Sequence, residues 1–95
     1  MPESEPVPAS VGQVEFEAAR DAVLAVLAFY AEQIDGEERR PEPDAALIAG
    51  LVRERTAYGT VLRELQRADA VGVERITRTA RAVLARLEGG GETPR

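Results

Sequence analysis

Residues 21–32, DAVLAVLAFYAE, decide how the rest of the chain is read, because ten uninterrupted apolar residues suit either a membrane or a packed helix. A helix that spans a bilayer needs about 20 apolar residues. This run stops at half that length between two carboxylates, so it reads as a buried helix. At 100° per residue, Phe16, Val23, Leu24, Val26, Leu27, Tyr30 and Ile34 share an arc of about half the helix circumference. Ala18, Ala22, Ala25 and Ala28 fill the other side, where alanine serves as the best helix former and needs no burial. Phe29 falls outside the arc, among alanines. A smooth Ala/Phe surface lets another helix come close, which makes Phe29 a candidate contact for a partner or a second copy. The alternative is that Phe29 packs against the edge of the third helix or a tail within one chain.

Outward from this run, the ends of the first helix are marked by capping chemistry. Ser10 followed by Gln13 fits a capping box, in which the hydroxyl takes an orphan backbone N–H and the amide reaches back. Gly36 is the expected stop, because glycine adopts the left-handed conformation without Cβ strain, and Pro41 and Pro43 prevent continuation. The first helix is therefore predicted over about residues 11–35. Asp44 caps the next start, and Leu47, Ile48, Leu51, Val52, Tyr58, Val61, Leu62 and Leu65 keep helical spacing over about 44–67. Gly50 and Gly59 inside it each cost about 1 kcal/mol relative to alanine, and a break near Gly59 is the competing reading. Asp69 is the third cap candidate; Val73, Ile76, Ala80, Val83 and Leu87 step by three and four until Gly89, giving a helix over about 70–88.

No segment alternates with period two, and the connections are short, so consecutive helices are expected to be antiparallel neighbours. The predicted fold is all-α: an up-down-up three-helix bundle in one domain over residues 10–88. Residues 1–9, acidic and proline-punctuated, and residues 89–95, GGGETPR, are expected to be flexible tails. Residues 1–8, MPESEPVP, have none of the basic and apolar regions of an export signal, so a cytoplasmic location is expected, with no membrane contact.

The inventory of 95 residues narrows the chemistry. Cysteine and histidine are absent, which removes disulfides, thiolate nucleophiles, imidazole catalysis and the usual zinc and haem ligand sets. Lysine and asparagine are also absent; all twelve basic residues are arginine and sixteen residues are alanine, a bias that looks like a GC-rich coding background. The choice of arginine at any one position therefore carries little functional weight, despite its suitability for bidentate anion contacts.

Net charge is −5, but residues 1–44 carry net −8 and residues 45–95 net +3. The asymmetry can be satisfied between helices of one chain, between two chains, or by an external partner. Arg75, Arg78 and Arg86 lie opposite the apolar seam of the third helix, which makes them candidate partner contacts. A nucleic-acid reading would use them on phosphates, but a pI of about 4.8 and the acidic front half oppose it. The bland reading is a solvated helix face in which Glu74 pairs with Arg78 at i,i+4. Arg20 and Arg55 project into apolar arcs; an anion pocket with Tyr30 or Tyr58 is one reading, and stems that lie on the core edge with guanidinium groups in water is the favoured one.

Carboxylates alone leave little room for catalysis. Glu32, Asp35, Glu37 and Glu38 cluster near the end of the first helix, but no histidine completes a bundle di-metal site, and no phosphate-binding glycine loop is present. No catalytic residue, cofactor, metal or small-molecule ligand is predicted. The expected role is a non-catalytic helical module or accessory subunit that acts through protein contacts and can self-associate, with Phe29, Arg75, Arg78 and Arg86 as the contacts. The second reading is a small regulatory protein that touches nucleic acid through the third helix.

Overall fold

The structure, a computed structural model, describes residues 12–90. These form three helices and no strand: α1 (Gln13–Glu38), α2 (Ala45–Leu65) and α3 (Ala70–Gly90). Residues 1–9, Ser10 with its part in the capping box, and residues 91–95 lie outside the described residues. No helix among the described residues is long and apolar enough to cross a membrane.

Helix boundaries follow the local chemistry with two departures. α1 has Gly12 in extended backbone at its N-cap, without a side-chain cap, and Gln13 donates to Glu17 Oε2 at 2.7 Å rather than reaching back. Gly36 does not stop α1, which runs through it to Glu38; no described glycine has positive φ. The stop comes from Pro41, because a residue before proline is driven out of helical geometry, so Arg40 cannot extend the helix. At the other end α3 continues past Gly89 to Gly90, within the one or two residues over which helix ends fray. α2 is one continuous helix through both of its glycines. Asp44 caps it as expected, accepting from Leu47 N at 3.0 Å. Asp69 likewise caps α3 by accepting from Gly72 N at 2.9 Å. Gly72 fits closely there: a Cβ would stand 3.2 Å from Ala68 Cβ and 3.3 Å from Asp69 Oδ1, so both neighbours would have to give by a few tenths of an ångström.

The core shows how the helices run. One cluster joins Phe16 and Ala19 of α1 to Leu62 and Leu65 at the end of α2 and to Val73 and Ile76 at the start of α3. A second joins Val23, Val26 and Tyr30 to Leu51 and Tyr58, earlier in α2, and to Ala80, Val83 and Leu87, later in α3. α1 is thus antiparallel to α2 and parallel to α3, the up-down-up bundle. The bundle is open: α2 and α3 each pack along α1 but make few contacts with each other. Because α1 is sandwiched, its buried strip is wider than one arc predicts. Ala19 and Ala22, the latter assigned by the wheel to the outer side, are buried, whereas Leu24 of the apolar arc is 36% exposed.

Glu37 holds the first connection together. It is the only buried charged residue among those described, and its two oxygens accept from Asp44 N at 2.9 Å and from Arg40 Nη1 at 3.3 Å. A buried carboxylate is tolerated when its lone pairs are used in this way. The acidic cluster at the end of α1 is therefore in part a structural clamp that seats the N-terminus of α2. Asp35 pairs instead with Arg39 at the surface.

Candidate functional site

Since α2 and α3 diverge on either side of α1, a valley opens between them. It measures about 540 Å³ and is lined by Tyr58, Val61 and Glu64 of α2, by Arg67 and Asp69 of the turn, and by Arg75, Ile76 and Thr79 of α3. Tyr58, Val61 and Ile76 form an apolar floor that packs on the core. Both signs occur on each side: Arg67 follows Glu64 at the end of α2, and Asp69 precedes Arg75 at the start of α3. Glu64 stands on the α2 wall, and Glu54, one turn before Tyr58 and two before Val61, continues that face. Arg75 stands on the α3 wall, and Arg86, two turns beyond Thr79, continues it. All four side chains are exposed, and no ion pair among the described residues joins the two walls.

The tyrosines register this charge pattern. Burial pushes the Tyr30 hydroxyl above its ordinary range, with the Glu54 carboxylate adding to the effect, Tyr58 raising it further and Arg86 opposing it. Tyr58 is raised by burial first, opposed by Arg86 and reinforced by Glu54. One glutamate of α2 and one arginine of α3 therefore act on the same two hydroxyls. Glu64 and Arg75 line the valley itself.

The sequence-predicted residues distribute unevenly over this surface. Arg75 lines the valley and Arg86 continues its helix face by spacing, but Arg78 lies elsewhere. It lines a second groove of about 660 Å³ between the start of α1 and α3, with Glu15, Ala18, Thr77 and Arg81. There it also pairs with Glu74 at 3.6 Å, the i,i+4 contact expected from the sequence. Phe29 is half-buried. It shares a helix face with Glu15 and Ala18, three to four turns earlier, and so lies on the flank of α1 that faces α3. The exposed large apolar side chain of α1's central run is Leu24 instead. Arg20 and Arg55 are both exposed, so no buried cation calls for an anion between α1 and α2. No group of three or more acidic residues suited to a metal ion occurs among the described residues.

The sequence reading missed the half-buried row on α2. Ile48, Leu51, Val52, Tyr58, Val61 and Leu62 all remain half-buried and Leu47 is 46% exposed; only Leu65 is buried. Helical spacing marks these residues as apolar, but nothing in the spacing says that the third helix stays away from them. Compared with known proteins, the chain matches no family model, no curated protein and no solved structure.

Proposed function

We propose that the protein is a non-catalytic helical interaction module of the cytoplasm, and that the valley between α2 and α3 is its contact surface. The observation that carries this reading is the valley floor, where Tyr58 and Val61 of α2 and Ile76 of α3 stay half-buried between charged side chains. Apolar patches rimmed by charge serve as protein contacts, and this floor is a small patch of that kind. The volume and lining also suit a docked side-chain row or helix better than an enclosed ligand, since the valley is a trough without a roof.

A photoactivatable phenylalanine analogue placed at Val61, compared with the same residue at Glu32 on the outer face of α1, tests the proposal in cells. The Val61 probe is expected to yield one dominant cross-linked protein species, whatever its identity, and the Glu32 probe only background. Equal, background-level labelling from both positions would overturn the valley as the contact surface.

A further inference from the structure

We infer that α3 is an exchangeable arm: two copies of this chain form a closed dimer in which the turn between α2 and α3 straightens and each α3 packs on the α1 of the other copy. The partner is a second copy, held through the α1–α3 interface that one chain already makes with itself. This exchange goes beyond the valley as a contact surface and does not depend on it.

The two connections of the bundle differ in what holds them bent. Pro41 and Pro43 prevent α1 and α2 from joining into one helix, but residues 60–71 contain neither proline nor glycine. The second connection is only the four residues between Leu65 and Ala70, and its backbone is already near helical. Gln66 has φ −62° and ψ −23°, and the N–H groups of Gln66, Arg67 and Ala68 donate to the carbonyls three residues back at 3.0–3.2 Å. A continuous helix would give the N–H groups of residues 69–72 the partners four residues back that a helix start lacks. Asp69 opposes it, because its carboxylate caps α3 through Gly72 N and has no such role inside a helix. A short connection of this kind favours exchange between copies.

Helical phase lets the exchange close. With residues 45–90 read as one helix at 100° per residue, Tyr58, Leu62 and Leu65 of α2 and Val73, Ile76 and Val83 of α3 fall within an arc of about 80°. The core faces of the two helices are in phase across the turn, and Asp69 falls inside the same arc. The straightened helix, about 69 Å long, therefore offers one apolar side along its length. Two such helices lie antiparallel about a two-fold axis at residues 66–69, with α2 of one beside α3 of the other, and each such pair carries one α1 on the same side. Both core clusters are then rebuilt with α3 of the second copy, because α3 meets α1 along its length and makes few contacts with α2. The turn gives up the packing of Ala68 against the cluster of Ala19, Leu65 and Val73. Mutual exchange leaves no arm free, so assembly stops at two copies.

Refolding of the full chain from denaturant at about 1 mM and at about 10 μM, followed by size-exclusion chromatography at one common dilution, tests the exchange. The concentrated sample is expected to contain a dimer that survives dilution, since return to the monomer requires α3 to unpack, and the dilute sample only monomer. Ala70→Pro suits the first position of a separate α3 but not the interior of a continuous helix, so it is expected to give monomer alone with unchanged helical circular dichroism. Asp69→Ala removes the cap and is expected to raise the ratio of dimer to monomer at least about fivefold. Glu15 and Arg78 line one groove between α1 and α3, and the chain has no cysteine, so Glu15→Cys and Arg78→Cys chains refolded together report the arrangement through a short bis-maleimide. In the dimer fraction this reagent is expected to join the two different chains. A wild type without dimer after concentrated refolding, an Ala70→Pro chain that dimerises like the wild type, an Asp69→Ala chain with no more dimer, or a dimer without the 15–78 link between chains would each overturn the inference. Background labelling from Val61 would sink the valley reading and leave the exchange standing, so the two claims fail separately.

Discussion

α1 and α2 have similar means and different fates. Both are long, both carry apolar residues at helical spacing, and both begin within a few residues of an acidic group. α1 buries Ala19, Ala22, Val23, Val26, Tyr30, Ile34 and Glu37, whereas α2 buries Leu65 alone. The difference comes from neighbours. α1 is flanked by both other helices, whereas α2 has α1 on one side and an open valley on the other. Burial is thus a property of where a helix is placed, and a helix of ordinary amphipathic sequence can remain half finished. A surface of that kind is available for recognition.

The contrast inside α2 gives the largest expected effect. Leu65 is 1% exposed and belongs to the cluster with Ala19 and Val73, so Leu65→Ala is expected to cost about 2–5 kcal/mol in chemical denaturation. For a domain of this size that approaches the whole net stability. Leu47→Ala, at 46% exposure on the same helix, is expected to change stability by less than about 0.5 kcal/mol at low protein concentration. Similar losses at both positions would break the comparison.

A smaller effect is expected where α1 hands over to α2. Glu37→Ala removes the acceptor of Asp44 N and of the Arg40 guanidinium, and is expected to cost about 1–3 kcal/mol because the backbone N–H loses its partner. Glu38→Ala, at an exposed neighbouring position, is the control; hydrogen exchange should show faster opening of the first turn of α2 in the Glu37 variant only.

The smallest expected effect has the opposite sign. A Cβ at Gly59 would meet nothing within 4 Å and the backbone there is helical, so Gly59→Ala is expected to stabilise the protein by about 0.4–1 kcal/mol. Thermal or denaturant unfolding of the variant at low concentration reads this directly. A destabilised variant would mean that the space beside α2 is filled, and would sharpen the comparison against the open-valley description.

Much of the molecule was legible in the order of its residues because the relevant forces are local. Asp44 and Asp69 cap their helices by reaching three residues ahead, a geometry set by spacing, and the three-and-four steps of Val73, Ile76, Ala80 and Val83 mark one helix face whatever packs on it. Gly36 was misleading because a glycine permits a left-handed stop without requiring one, and the helix ran past it to the restriction before Pro41. The wheel misplaced Ala22 and Leu24 because it assumes one buried arc, whereas a central helix meets two neighbours at an angle. Glu37 read as one member of an acidic run, since its partners lie three and seven residues away across a turn whose path the sequence does not show.

By itself, then, the amino-acid sequence determined three helices, their antiparallel order, and an inventory without cysteine or histidine, since these depend on composition and on contacts a few residues apart. Only the tertiary structure decided that α2 and α3 stand apart, that Arg78 turns to a different groove from Arg75, and that charged groups of both signs rim Tyr58, Val61 and Ile76. Helical periodicity specifies which side chains share a face. The angle at which two helices meet a third depends on the packing of all three at once, and that angle creates the valley.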